Sequence, residues 1–491
     1  MMYSRTYLAP YALSLLIASA ILAGCATFEP SAGRSAARRV EDYMPRPMTH
    51  AGVDEPRPTV PDAPSATEGL TVNACVEIAL ANNPWQAAAK AGLLAASEAV
   101  GEARAPYYPH VSLEGGYRRW EQRAFLPDDL TQGTASIGGV LGGSPADSPS
   151  IGPTDDWRVG VGAQFTLFDS GERRAQHQAA LARRDMAAEE RNRVMQDVAY
   201  DVERAYYALA SAVENREAAA AALERAEDHL RITEIRRAAG AAPQADVVRA
   251  QSEVAEARLR LIEGDSAIRV AQGNLNTVMG LPAETPLEQE LAPEPITSPD
   301  NIAIEEEMDN AVRARPEVAA ALKEVEAGEY GVAAARSSFG PRVTAQASYG
   351  WRDETFAPGH NDWSVGLGFE WPLFTGFARK HAVARNQAEV QQAEAELRQG
   401  ALAVRNEVWA AFAELNRAYE AVEVSEAFVQ EANEGLRLVR ARYEAGATTI
   451  SDLLDAQAAL VRAEAGQVAS EWDYFQARAA FNRATGAPIL G

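Results

Sequence analysis

Asp452 and Asp455 stand three residues apart in Ser451-Asp452-Leu453-Leu454-Asp455, so in a helix the two carboxylates share one face. Such a pair concentrates negative field and draws cations, or it complements the positive end of the helix dipole as a first-turn feature. Cys25 and Cys75 are the only cysteines, too few for a disulfide framework or a four-thiolate metal site. The six histidines (His50, His110, His177, His229, His360, His381) form no HExxH motif and no close pair. There is no GxSxG elbow and no GxxxxGK[ST] phosphate loop. Eight methionines without a Met or His cluster give no dedicated soft-metal route. The sequence therefore offers no catalytic, cofactor-binding or metal-ligating constellation, and no enzyme is expected.

What must position the acidic pair is a long chain. Its 491 residues suffice for two or three domains or one large elongated one, and 47% apolar residues supply a sizeable core. Lys and Arg number 46 against 69 Asp and Glu, a net charge of −23. That balance excludes nucleic acid as a partner, since no basic surface could displace its counterions. It also opposes adhesion to anionic headgroups.

The N-terminus reads as a targeting segment. Arg5 gives a positive start, and Ala12 to Ala23 is an almost unbroken apolar stretch, too short to span a bilayer. Leu22-Ala23-Gly24-Cys25 resembles the lipobox of bacterial lipoproteins, in which the signal is cut before a Cys that then takes lipid. Lipidation, with palmitate among the acyl chains, is expected at Cys25. Ala26 rather than Asp after the Cys favours the outer over the inner membrane. Residues 1–24 are then the signal peptide. Residues 25–69, rich in Pro, Arg, Ser and Asp, form a lipidated extended arm. Cys75 falls in a helical pattern and is expected to be a buried apolar residue.

An internal repeat organises the rest. Ala105-Pro106-Tyr107-Tyr108-Pro109-His110-Val111 returns as Ser337-Ser338-Phe339-Gly340-Pro341-Arg342-Val343, an offset of 232. From Trp157 and Trp363 onward the offset becomes 206, so the second copy is 26 residues shorter in the intervening loop. It then holds through Leu167-Phe168 and Leu373-Phe374, Gly240 and Gly446, Asp246 and Asp452, and Gly280 and Gly486. The reading is a first repeat over 70–282, a linker over 283–300 and a second repeat over 301–491. The loop from Glu121 to Asp156, where the copies differ, is expected to be extracellular and mobile.

Each copy reads as helix, two strands, long helix, return helix. Trp157, Val159, Val161, Ala163, Phe165 and Leu167 fall on one strand face, with Arg158, Gly160, Gly162, Gln164 and Thr166 on the other. Trp363 to Leu373 and Val343 to Trp351 repeat the alternation, and Val111 to Trp120 does so more weakly. Such strands with aromatic ends match membrane-spanning β-strands, though a half-buried strand of a soluble sandwich alternates alike. The helical part decides between them. No Pro occurs from Leu373 to Ala487, and Val404, Val408, Phe412, Leu415, Tyr419 and Val422 recur at steps of three and four. Gly171 to Ala239 makes a rod of roughly 100 Å. The return helices, about 245–279 and 451–485, are half as long, and helices at about 74–104 and 303–336 supply the missing half. Four strands cannot close a barrel, and open edges cannot face hydrocarbon. Three chains would give twelve strands. The expected fold is an α+β membrane protein: a trimeric twelve-stranded β-barrel, four strands per chain, continued by a long periplasmic α-helical barrel and internally duplicated.

These residues resemble the TolC-like family, the outer-membrane channels of tripartite efflux pumps and type I secretion systems. The carriers are Ala79-Leu80-Ala81-Asn82-Asn83-Pro84, Ala311-Val312-Arg313-Ala314-Arg315-Pro316, and Tyr443-Glu444-Ala445-Gly446 followed by Asp452-Leu453-Leu454-Asp455-Ala456-Gln457. With the lipobox, the chain looks like the lipidated branch serving RND-type efflux systems. The resemblance implies a homotrimer in outer-membrane lipid, working with a periplasmic adaptor (membrane fusion) protein and an inner-membrane RND-type or ABC-type pump. It implies a passive exit duct for exported small molecules, with no cofactor. A type I protein-secretion duct and a non-transporting envelope lipoprotein are the alternatives. It further implies that Asp452 and Asp455 line the periplasmic aperture, where six crowded carboxylates would raise one another's pKa. Tyr443 and Asp246 would be hydrogen-bonded gate contacts. Thr448 departs from the family pattern, in which some members carry a locking Arg there.

Overall fold

The computed structural model describes residues 71–119, 155–287, 295–356 and 360–487, which lie in the second of the two units into which the chain divides, 63–491. Cys25, the arm and nearly all of the loop from Glu121 to Asp156 lie outside the described residues. Helices α1 (Val72–Asn82) and α2 (Pro84–Arg104) lead to β1 (His110–Arg119) and β2 (Asp155–Phe168). The long helix α3 (Glu172–Ala238) and the return helix α4 (Gln244–Val278) follow. The same order recurs as α5 (Ile304–Ala314), α6 (Pro316–Ser337), β3 (Arg342–Asp353), β4 (Asn361–Glu370), α7 (Ala378–Glu444) and α8 (Ile450–Thr485).

The N-terminal helix of each copy is broken where one continuous helix was expected. The break falls at Asn83 and at Arg315, both with ψ of 127°. Each precedes a proline, whose ring clashes with a helical residue before it and drives that residue to extended backbone. Asn83 then serves as the next cap, its Oδ1 accepting from the Trp85 N–H at 2.8 Å.

At the strand-to-helix junctions the chain takes two consecutive left-handed residues. These are Ser170 and Gly171 in the first copy, and Gly376 and Phe377 in the second. A β-carbon at φ of 66° makes Phe377 the strained member. From there α3 and α7 each run 67 residues, about 100 Å at 1.5 Å per residue. They end in left-handed Gly240 and Gly446, which release the carbonyls of the last turn and send the chain back.

The four strands form one antiparallel sheet in the order β1-β2-β3-β4, so the two copies meet at the β2–β3 pair, with Val161 opposite Tyr349. β4 stops at Glu370, short of the expected Leu373, because Pro372 has no N–H to give a ladder.

The main core joins α1 to α3, α7 and α8 midway along the long helices. Tyr207 stacks on Phe475 with ring centroids 5.4 Å apart, and Tyr474 Oη donates to the Thr297 carbonyl at 2.8 Å, tying down the linker. Cys75 is fully buried in this cluster, and desolvation pushes its thiol up to about 12. The folded protein should therefore show no Cys75 labelling by a water-soluble maleimide at about pH 8, where an ordinary thiol reacts readily. Labelling without denaturant would contradict this packing.

Candidate channel wall and periplasmic aperture

No helix among the described residues is long and apolar enough to cross a membrane. The sheet carries a membrane-facing pattern instead. The register places Leu113, Val161, Tyr349 and Trp363 across one face, and Val111, Ala163, Ala347 and Val365 one step along it. Tyr117, Trp157, Tyr349, Trp351 and Trp363 gather at one end. Val365 and Leu367 remain 75% exposed, so among the described residues nothing covers the β4 part of this face. The opposite face presents Ser112, Glu114, Arg158, Gln164, Thr344, Gln346, Arg352 and Ser364. Arg352 holds Asp156 there with two hydrogen bonds of 2.7 and 2.9 Å. An apolar face with an aromatic end and a polar reverse belongs between lipid and an aqueous lumen. Among the described residues, β1 and β4 each have one edge unpaired.

The hairpin tips at Gly240 and Gly446 lie at the far ends of α3 and α7 from the sheet, and the predicted aperture residues collect there. Asp452 and Asp455 are both exposed, in the first turns of α8. Asp452 closes a capping box: its carboxylate accepts from Thr448 Oγ1 (2.5 Å), the Thr449 N–H (2.9 Å) and Thr449 Oγ1 (2.7 Å). Those bonds, the Thr448 hydroxyl first, bring its pKa down to about 2. Within one chain the shift thus runs opposite to the rise expected from crowding. Thr448 is one of the residues holding this carboxylate.

Tyr443 is buried under Ile450 and Leu453. It makes no hydrogen bond with Asp246, contrary to the expectation. Its ring instead carries the Arg236 guanidinium, 4.6 Å from the centroid, and its carbonyl accepts from Arg236 Nη1 at 3.2 Å. Arg249 Nη1 donates to Ser451 Oγ at 3.3 Å. Two arginines of the first copy therefore clasp the hairpin of the second, and sequence reading had assigned neither a role. A signal existed in the spacing: His229, Thr233 and Arg236 follow steps of four and three and so share a face of α3. Asp246, half-buried at the start of α4, acts through space on the buried His229 imidazole.

A sheet with a lipid face and a polar face, continued by helical rods of about 100 Å, defines an outer-membrane channel with a periplasmic extension. The sequence profile described as "Outer membrane efflux protein" matches residues 75–281 and 308–487. Protein CyaE of Bordetella pertussis is 30% identical over 429 residues, 85% of this chain and 85% of CyaE. The pyoverdine export outer membrane protein OpmQ of Pseudomonas aeruginosa is 24% identical over 425 residues, 84% of this chain and 85% of OpmQ. Among solved structures, VceC of Vibrio cholerae matches at a TM-score of 0.69 and 21% identity, covering 85% of this chain and 96% of VceC. The outer-membrane channel OprN matches at 0.71 and 20% identity, covering 86% of this chain and 91% of OprN. The chain belongs to the outer membrane efflux protein family, and its work is passage of exported molecules rather than catalysis.

Proposed function

We propose that three copies of this chain close a twelve-stranded barrel and a helical tube. Together with a periplasmic adaptor and an inner-membrane pump, the trimer would pass small exported compounds to the exterior. The exposed, aromatic-ended apolar face of a sheet with two open edges carries this reading, because lipid tolerates that face but not the edges. Similarity to the pyoverdine export protein OpmQ supports a small-molecule cargo. RND-type is the proposed pump class, with ABC-type the alternative. The organisation into a first repeat, a short linker and a second repeat has its support in the matching lengths of α3 and α7. Asp452 and Asp455 are proposed to ring the periplasmic aperture, with Tyr443 and Asp246 among the contacts at its gate.

Native mass spectrometry of the detergent-extracted protein should give a three-chain species that conducts in planar bilayers. Another stoichiometry or a silent bilayer would refute the duct. Cells lacking the protein should become sensitive to small toxic compounds. Retention of a secreted polypeptide without such sensitivity would favour type I secretion instead.

Cys25 is proposed as the lipidated first residue of the mature chain. Two or three acyl chains anchor stably where one alone binds marginally. The intact mass should therefore equal residues 25–491 plus diacylglycerol, with or without an amide-linked fatty acid. An unmodified start elsewhere would overturn this.

A further inference from the structure

His229 sits on α3 two turns above Arg236 and is 6% exposed. Its ring lies 6.0 Å, centroid to centroid, from that of Tyr443 on α7. Its Nε2 is buried and meets no hydrogen-bond partner. A neutral imidazole tolerates this by keeping its proton on the other nitrogen, but an imidazolium would hold a buried N–H without an acceptor.

The charged groups around it oppose one another. Arg440 of α7, itself paired with Glu444 at 3.2 Å, disfavours a second cation, and Asp246 of α4 favours one. Arg236 of α3 is engaged on the face of Tyr443, and Asp452 of α8 is committed to its Thr448 and Thr449 cap. Desolvation is the largest influence, and the net effect lowers the His229 pKa below its ordinary 6.5.

We infer that His229 is a proton-operated release for the aperture: a proton on its unpartnered Nε2 loosens α3 from Tyr443 and frees the tip of the α7–α8 hairpin. The sign follows from linkage. A histidine depressed in the packed state binds its proton more tightly once wetted, so acid favours the arrangement in which α3 and α7 part. This rests on the reading of the hairpin tips as the aperture.

A second group in the region titrates in the opposite sense. Glu253, two turns along α4 from Asp246, has a buried Oε2 without a partner, and burial followed by the charge of Glu256 pushes it up to about 7. Its protonation favours the packed form. The experiment therefore uses full-length, lipidated protein carrying Glu253→Gln, which removes that opposing titration.

Single-channel conductance in planar bilayers is read from about pH 7.5 to about 5.5, a range bracketing the ordinary imidazole value. The Glu253→Gln channel should open severalfold more on acidification. Adding His229→Phe, which keeps an aromatic ring against Tyr443, should abolish the rise, and His229→Gln serves as a second non-titrating variant should Phe fail to assemble. A rise that survives in both variants overturns the inference. So does a Glu253→Gln channel flat in pH when Tyr443→Ala is already more conductive than wild type at neutral pH. If Tyr443→Ala conducts no better than wild type, the gate reading itself fails and takes this inference with it.

Discussion

Replacing Arg315 with Ala is expected to destabilise the folded chain by about 2–4 kcal/mol, a large loss for one side chain. The Arg315 side chain is 3% exposed, at the break between α5 and α6. Its Nη1 donates to the carbonyls of Arg483 and Ala484 (3.2 and 3.1 Å), closing the last turn of α8. Its Nε bonds Glu317 at 2.8 Å, and its Nη2 reaches Glu407 of α7 at 3.0 Å. Arg483 continues the chain of charges to Glu407 (2.6 Å) and to Asp197 of α3 (2.6 Å). The Arg315 guanidinium therefore joins α5–α6, α7 and α8 of the second copy, and Arg483 extends the network to α3 of the first.

Removing the Arg315 guanidinium takes the donor from the Ala484 carbonyl, while that of Arg483 keeps the Gly486 N–H at 3.1 Å, and it leaves Glu317 and Glu407 with less positive charge. Breaking a fully buried pair costs ~3–5 kcal/mol. Glu407 keeps 39% of its side chain in solvent, which lowers the expected figure. The check is the temperature of irreversible unfolding at a fixed scan rate, because an assembled membrane protein reports a barrier rather than an equilibrium. Arg315→Lys should fall between, since an ammonium cannot reproduce the fork. Arg313→Ala, two residues away and exposed, should change little. An Arg315→Ala protein as robust as wild type would remove this node from the account.

The node also predicts a pH effect. Burial alone would raise the Glu317 pKa, but hydrogen bonding and charge from Arg315 bring it below the usual carboxylate range. A depressed carboxylate contributes stability above its unfolded value, about 4.3, and loses it as pH falls through the lower folded one. Wild type should therefore lose this share below about pH 4.3, and Arg315→Ala should lack that part of the acid sensitivity.

How much of this was legible can be judged at particular residues. The long helices were, because a Pro-free run between glycines has only one regular solution. α3 was expected over 171–239 and forms over Glu172–Ala238. The breaks at Pro84 and Pro316 were missed although both motifs were in view. Helical periodicity runs straight through them, and only the restriction on the residue before proline reveals the interruption. Period-two alternation gave the apolar face, since alternation is local, and only the helical part set that face against lipid. It could not tell that β2 pairs β3, which is set by residues nearly 200 positions apart. The aperture divides in the same way. Spacing within one turn put Asp452 and Asp455 on one helix face, and only the resemblance set them at an aperture, whereas the Arg236 clasp on Tyr443 spans 207 positions. That contact exists only once both hairpins have folded against each other.

The acidic pair at the start of α8 yields the largest functional expectation. Converting both carboxylates to amides, Asp452→Asn with Asp455→Asn, should weaken block by a trivalent cation about a hundredfold or more, since three chains would bring six charges to one ring. Asn is chosen over Ala because Asp452, besides the ring proposed for it, serves the helix cap. Its oxygen completes the capping box with Thr449, and an amide oxygen can still accept those bonds. Ala would remove charge and cap together and confuse a frayed helix with an uncharged ring. Thr449→Ala supplies the converse, losing a hydroxyl of the cap while keeping both carboxylates, so block should persist in it. The cap also sets the pH range. With its hydrogen bonds holding Asp452 ionised down to about 2, acidification from neutral to about pH 4 should not erase that residue's share of the block. Bilayer recordings with a trivalent cation added from the helical end decide the matter. Block unchanged in the double Asn variant would confine Asp452 to its cap and place the constriction elsewhere along the tube.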